Sequence, residues 1–267
     1  MPMSKITLST LKKMKQSGEK FVCLTAYDAM MAKVLEDAGV EVLLVGDSLG
    51  MVIQGHDSTL PVTVDDIVYH TRSVARGSEN ALIMSDMPFM SYVSQDEAVH
   101  NAGRMLKEGG AHIVKLEGGA AFLPVVRRLN DLGIPVCGHL GLMPQSVNKM
   151  GGYKVQGKDE ASAESILRDA RDLEQAGCDV MLLECVPKSL AKQVTEALEI
   201  PVIGIGAGVH CDGQVLVLQD MLGITPGKRP RFTHDFLADT GNVSKAVLAY
   251  VKAVKEGSFP SDEQSFI

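Results

Sequence analysis

Five apolar runs in this chain each end in a side chain that can carry charge, donate a proton or hold a cation. Val42-Leu43-Leu44-Val45 leads into Gly46-Asp47-Ser48, and Ala81-Leu82-Ile83-Met84 into Ser85-Asp86. Ala111-His112-Ile113-Val114 runs into Lys115-Leu116-Glu117, Ile134–Cys137 into Gly138-His139, and Asp179–Leu183 into Glu184. Lys115 and Glu117 are two residues apart, so they share a face of an extended chain. An Asp-Ser pair after a strand is an ordinary helix cap or turn when it stands alone. Burying one unpaired charge costs several kcal/mol. Five such ends gathered at one place therefore point to a site rather than to five unrelated surface groups.

Four carboxylates and one lysine suit a hard divalent cation. Mg²⁺ takes oxygen ligands, commonly one or two carboxylates together with waters and substrate oxygens. Asp47 and Asp86 end successive strands and are the first candidates. Glu117 is a third ligand, an outer group acting through water, or the partner of a neighbouring lysine. No His- or Cys-rich spacing argues for zinc. Lys115 beside a metal would hold a substrate carboxylate or stabilise an enolate. A Schiff base is the other use of such a lysine, although metal and imine strategies usually replace each other. Glu184 follows an apolar run and is expected to be partly desolvated, a setting for a general base; the alternative is a buried Glu paired to Lys or Arg. His139 either binds substrate or is a hydrogen-bonded residue of the mouth. Gly204–Gly208 is a weak phosphate-loop signal that close packing of a turn explains equally well. Cys185 reads as packing, not as a nucleophile.

The elements that must position these residues alternate. Strands are expected at 21–25, 42–45, 81–84, 111–114, 134–137, 179–183, 201–205 and 215–218. Helices are expected at 8–17, 28–38 (with Met31, Val34 and Leu35 buried), 64–76, 95–109, 121–132, 160–176, 187–198 and 242–254. The strands are apolar throughout, as when both faces of a parallel sheet are covered. Eight such units in 267 residues suit one (β/α)8 barrel domain, residues 1–267, with a short N-terminal helix. Its active site would lie at the C-terminal ends of the strands. A doubly wound open sheet is the runner-up, but no dinucleotide fingerprint follows the first strand. Leu142–Lys158 has no clear period and is long for a connection, so it is a candidate lid.

Composition narrows the rest. The chain is 45% hydrophobic and 22% charged, enough for a large core. A net charge of −7 argues against nucleic acid or anionic membrane as partner. Five widely spaced cysteines without a Cys-x-x-Cys suggest reduced thiols and a cytoplasmic setting. The N-terminus lacks the apolar run of a signal peptide.

Read together, these motifs resemble one family. They are Gly46-Asp47-Ser48-Leu49-Gly50-Met51, His56–Thr63, Asp86-Met87-Pro88-Phe89 and Val114–Gly119. With them come Gly138–Leu142 followed by Pro144-Gln145-Ser146, Leu183–Pro187 and Ile203–Gly208. The chain is similar, nearly end to end, to the ketopantoate hydroxymethyltransferases. The resemblance implies a barrel of the phosphoenolpyruvate/pyruvate type. It implies transfer of a hydroxymethyl group from 5,10-methylenetetrahydrofolate to 3-methyl-2-oxobutanoate, giving 2-dehydropantoate, the first step toward pantothenate and coenzyme A. It implies Mg²⁺ near Asp47, Asp86 and Glu117, the 2-oxo acid held by Asp47, Ser48, Asp86 and Lys115, and Glu184 as proton acceptor. It also implies a homo-oligomer, a decamer built from pentamer rings. A related Mg²⁺-dependent 2-oxo acid lyase or phosphonomutase on the same barrel is the alternative, and a catalytically silent barrel a third. Met143 departs from an expected Thr, and Gln219 and Gln264 stand where His is common.

Overall fold

A computed structural model describes residues 5–227 and 229–267. Met1–Ser4, part of the segment read above for a signal peptide, lie outside the described residues. In chain order the elements are α1 (Leu8–Ser17), β1 (Phe21–Thr25), α2 (Ala29–Asp37), β2 (Val42–Val45), α3 (Leu49–Val52), α4 (Val64–Gly77), β3 (Leu82–Asp86) and α5 (Gln95–Arg104). Then come β4 (Ile113–Glu117), α6 (Leu123–Asp131), β5 (Val136–Gly141), α7 (Val147–Met150), α8 (Glu160–Ala176), β6 (Val180–Glu184), α9 (Lys188–Ala197) and β7 (Val202–Ile205). The chain ends with β8 (Gly213–Leu216), α10 (Leu218–Met221), α11 (Phe236–Thr240) and α12 (Val243–Lys255).

Among the described residues, eight strands pair in chain order and close into a barrel, all parallel, with β8 returning to β1. This is the expected (β/α)8 barrel, not the open sheet. Every strand residue is buried except Glu184, the last of β6, which is half-buried. That burial on both faces is why the strands read as unbroken apolar runs.

Local chemistry accounts for the helix ends. Thr7 and Thr10 form a reciprocal capping box at the start of α1, and Gly18 ends it at φ 72°. Thr63 and Asp66 do the same for α4. The segment 95–109 is helical as expected, but its last turn, Met105–Gly109, widens to a π-turn. In α2 the buried stripe is rotated from the expected one. Leu35 is buried as expected, but Met31 and Val34 are only partly so, and Ala32 and Glu36 are buried. Glu36 turns inward because its carboxylate accepts the backbone N–H groups of Glu79, Asn80 and Ala81 ahead of β3.

Two strands lie elsewhere than expected, and glycine is the reason in both. The fifth strand, expected at 134–137, runs from Val136 to Gly141. Gly138 is inside it because a Cβ there would press on Cys178, Leu173 and Met181, each at 3.3 Å. The eighth, expected at 215–218, is Gly213–Leu216, and Leu218 already begins α10. A Cβ on Gly213 would lie 2.5 Å from the Phe21 ring. Both glycines read as punctuation in the sequence but are close-packing positions in the sheet. β3 and β4 also extend further than expected, through Asp86 and through Lys115 and Glu117. Those side chains stand on the rigid sheet itself, not on loops beyond it.

Candidate active site

The parallel register builds the site. Asp86 on β3 lies opposite Lys115 on β4, and Glu117 on β4 lies opposite His139 on β5. Residues facing each other in a pleated pair point the same way, so these four side chains share the mouth of the barrel. Asp47, just past β2, joins them because its backbone N–H donates to Asp86 Oδ2 at 2.9 Å. Gly46 permits this turn, since a Cβ there would sit 3.3 Å from Asp86 Oδ2 and 3.0 Å from Ser48 Oγ. All five ionisable groups are nearly inaccessible to solvent.

Lys115 is the cation of the cluster. Its Nζ is 2.6 Å from Asp86 Oδ1 and 3.4 Å from His139 Nδ1. Burial alone would lower its pKa, but Asp86, Glu117 and Asp47 around it push the value up, so it stays charged. Burial raises Asp86 despite the opposing ammonium. Asp47 is raised well above the carboxylate range by burial, then by its neighbours Asp86 and Glu117. Three carboxylates thus share one ammonium.

His139 bridges Glu117 and Glu184. Its Nδ1 is 3.5 Å from Glu117 Oε1 and its Nε2 3.3 Å from Glu184 Oε2. Burial and Lys115 oppose its protonation, but the two carboxylates outweigh them and lift its pKa to about 9. The ring meets the two carboxylates at ion-pair distance, with Nε2 making no hydrogen bond, and its Nδ1 also lies against the Lys115 ammonium. Glu184 is the most open of the set, its side chain 14% exposed. The structure pairs Glu184 with this histidine rather than with Lys or Arg. Glu117, for its part, meets His139 and the Gln145 backbone rather than a lysine.

Ser48 makes no cap with its side chain, although it precedes α3. Its Oγ instead hydrogen-bonds the Tyr27 hydroxyl at 2.8 Å, facing the mouth beside Asp47. Gly204 packs within 2.8 Å of Cys211 Sγ if given a Cβ, so close packing accounts for the glycine run there. Cys185 is buried in a left-handed conformation (φ 48°), and burial pushes its thiol up, away from nucleophilic use.

Two residues of the site escaped the strand-end reading. Gln145 Nε2 donates to Asp47 Oδ2 at 2.8 Å and to the Met87 carbonyl at 3.0 Å, while its backbone N–H donates to Glu117 Oε2 at 3.0 Å. The Tyr92 hydroxyl donates to Gln145 Oε1 at 2.6 Å. Neither is charged, and neither follows an apolar run. The Pro144-Gln145-Ser146 string inside the resemblance is the one signal for Gln145, and Tyr92 lies outside every motif of the resemblance.

The donor set fits a magnesium ion. Asp86 Oδ1 is buried and meets only the Lys115 ammonium, at 2.6 Å, among the described residues. Among the described residues no three His, Cys, Asp or Glu side chains converge tightly enough to hold a metal alone. A site that offers one or two carboxylates and leaves other positions to water and substrate is what Mg²⁺ takes. Asp47 and Asp86 would hold it, with Glu117 in reach of its waters.

Fold and site together define a class: a (β/α)8 barrel with a buried acidic cluster, one lysine and a partly exposed glutamate at the C-terminal mouth. The fold is shared with 2,3-dimethylmalate lyase, described as a PEP mutase/isocitrate lyase superfamily member, at a TM-score of 0.60 and 16% identity, covering 94% of this chain and 96% of that one. Phosphonopyruvate hydrolase complexed with oxalate and Mg²⁺ aligns at a TM-score of 0.62 and 13% identity over 97% of this chain and 93% of that one. At the level of sequence, residues 5–262 match the family described as ketopantoate hydroxymethyltransferase. A 3-methyl-2-oxobutanoate hydroxymethyltransferase of Nitrosococcus oceani is 59% identical over 264 residues, covering 99% of this chain and 100% of the relative. The chain belongs to the ketopantoate hydroxymethyltransferase family, and it is an enzyme that transfers a hydroxymethyl group.

Proposed function

We propose that the mouth binds 3-methyl-2-oxobutanoate and passes it through an enolate that takes a one-carbon unit from 5,10-methylenetetrahydrofolate, giving 2-dehydropantoate for pantothenate and coenzyme A synthesis. The observation that carries this reading is the buried Asp47–Asp86–Lys115–Glu117 cluster with Glu184 at its open edge. Mg²⁺, when bound, would polarise the keto and carboxylate oxygens of the substrate and offset charge as the enolate develops. Ser48 and Lys115 hold the substrate carboxylate. Glu184 takes the C3 proton, and the half-buried position of its carboxylate favours that work. His139 orients Glu184 through Nε2 and can contact the substrate from the same place. The enolate carbon then bonds to the folate-borne methylene carbon; the bonds from that carbon to the two folate nitrogens break, water supplies the hydroxyl oxygen, and tetrahydrofolate leaves.

Loop closure would keep water from the enolate. The 142–158 segment is rooted at both ends beside the end of β6, Leu142 N–H donating to Glu184 O at 2.8 Å and Gln156 N–H to Cys185 O, just past the strand, at 2.9 Å. It carries Tyr153 near the mouth. The five unpaired thiols favour a reducing, cytoplasmic setting. A homo-oligomer, the decamer of the resemblance, belongs to the same proposal. No helix among the described residues is long and apolar enough to cross a membrane.

The test is exchange of the C3 proton of 3-methyl-2-oxobutanoate in D₂O, followed by NMR with and without Mg²⁺. Mg²⁺-dependent exchange by the wild type is expected, and its absence would overturn the enolate mechanism. A related lyase or mutase would instead cleave or rearrange its substrate without needing folate.

A further inference from the structure

We infer that Gln145 is a positioning residue that sets the Asp47 carboxylate for metal binding and ties that carboxylate to the root of the 142–158 segment. The inference deepens the proposed function and rests on its metal site.

The amide is fully committed. Its two Nε2 hydrogens go to Asp47 Oδ2 and to the Met87 carbonyl, and its Oε1 accepts from Tyr92. Turning the amide over would set Oε1 against two acceptors, so the network fixes its sense. Among the described residues, Gln145 is the one side chain that donates to the Asp47 carboxylate. That bond occupies Oδ2 and leaves Oδ1 to a cation. Tyr92 completes a circuit: its hydroxyl lies 3.3 Å from the Glu117 backbone N–H, from which it accepts, and gives its own hydrogen to Gln145. The Gln145 backbone N–H then closes on Glu117 Oε2 at 3.0 Å. One neutral residue, 6% exposed, thereby couples two acidic groups, Asp47 through its side chain and Glu117 through its backbone.

A neutral donor is what this place requires. Asp47 already lies near Asp86 and Glu117. A lysine in place of Gln145 would compete with a metal, and a glutamate would add a fourth like charge. Without a donor, the Asp47 carboxylate would rotate among its rotamers and would have to be ordered when the metal binds. Groups that orient a metal ligand in this way are worth roughly 10- to 100-fold in metal affinity or activity.

The experiment titrates Mn²⁺ into substrate-free protein, followed by the loss of its free EPR signal, with C3-proton exchange measured on the same samples. Gln145→Met keeps the length and removes the donors; it is expected to weaken Mn²⁺ binding about 10- to 100-fold. Tyr92→Phe, which leaves Gln145 in place but frees its amide, should weaken binding in the same direction by less, roughly 3- to 10-fold. Addition of saturating metal should restore most of the exchange in Tyr92→Phe, since only affinity was lost. A merely structural role would lower the melting temperature of both variants and leave Mn²⁺ affinity unchanged, and that result overturns the inference. Wild type that binds no Mn²⁺ and exchanges no proton would instead overturn the proposed function, so the two failures are distinguishable.

Discussion

The two ends of the barrel use buried polar side chains for opposite purposes. At the N-terminal end, the residue just before each even-numbered strand accepts a backbone N–H from the odd-numbered strand beside it. Val22 N–H donates to Glu41 Oε2 at 2.8 Å, Ile83 to His112 Nδ1 at 3.0 Å, Val136 to Asp179 Oδ2 at 3.1 Å and Val202 to Asp212 Oδ2 at 2.8 Å. In the first three the backbone replies, residues 41, 112 and 179 donating their own N–H to the carbonyls of 22, 83 and 136. Burial holds His112 below its usual pKa, with Lys5 adding to it, so the neutral ring can accept. Cations cover two of the acids: Lys255 pairs with Glu41, and Lys15 with Asp212 at 2.8 Å. A pattern repeated four times around the ring is a device for pinning strand pairs. At the C-terminal end, three carboxylates crowd one ammonium, and Asp86 Oδ1 meets nothing but that ammonium among the described residues. One end completes its hydrogen bonds within the chain; the other leaves charge and lone pairs for a cation and a substrate. A buried acid is a functional candidate when the fold has not already used it.

Substitutions that separate activity from stability test this contrast. The largest effect is expected from Glu184→Gln. It should lower C3-proton exchange by about 10²- to 10⁴-fold, the range for a lost general base, with the urea midpoint unchanged. A large loss of stability would place Glu184 with the pinning residues instead. Lys115→Met should cost roughly 3–5 kcal/mol in urea unfolding, because it strands the Asp86 carboxylate in the interior. Adding Asp86→Asn, which removes the charge but keeps an oxygen for the Asp47 backbone N–H, should return most of that stability without any activity.

At the opposite end, Glu36→Ala should cost about 1–3 kcal/mol by leaving the N–H groups ahead of β3 unpaired, with exchange per folded molecule retained. The same residue shapes the acid limb. Burial tends to raise the Glu36 pKa, but hydrogen bonds from Ser78, Ala81 and Asn80 outweigh it and hold the value below its usual one. A depressed carboxylate stabilises above its unfolded pKa, about 4.3, and that contribution disappears as pH falls through the lower folded value. Glu36→Gln should therefore flatten the fall in stability below about pH 4.3, measured by urea midpoints at successive pH values. The smallest effect is expected for Asp179→Asn. Its side-chain oxygen still accepts from Val136, so the midpoint should stay within about 0.5 kcal/mol. A larger loss would mean that the charge, and not the acceptor, pins the strands.

Much of the site could be read directly because Asp47, Asp86, Lys115, Glu117 and Glu184 are ionisable and follow apolar runs. That rule fails where chemistry is done by neutral groups. Gln145 and Tyr92 lie in irregular segments, and an amide in a loop has no pattern to mark it. The rule also failed at the N-terminal end. In the sequence His112 and Asp179 look like ordinary members of the fourth and sixth strand runs, although each precedes its strand and clamps the strand beside it. Strand limits slipped at Gly138 and Gly213, where absence of a side chain serves packing rather than a turn.

By itself the sequence determined the eight alternating units, the burial of the strands on both faces, and the strands that end in charge, because these follow from side-chain type and a period set by backbone geometry. Only the tertiary structure decided which charges meet. Asp86 faces Lys115 and Glu117 faces His139 because closure of the barrel sets the register of neighbouring strands. Gln145 reaches Asp47 across 98 residues of chain for the same reason. Contacts between distant residues depend on how whole elements pack, and local sequence carries no record of that distance.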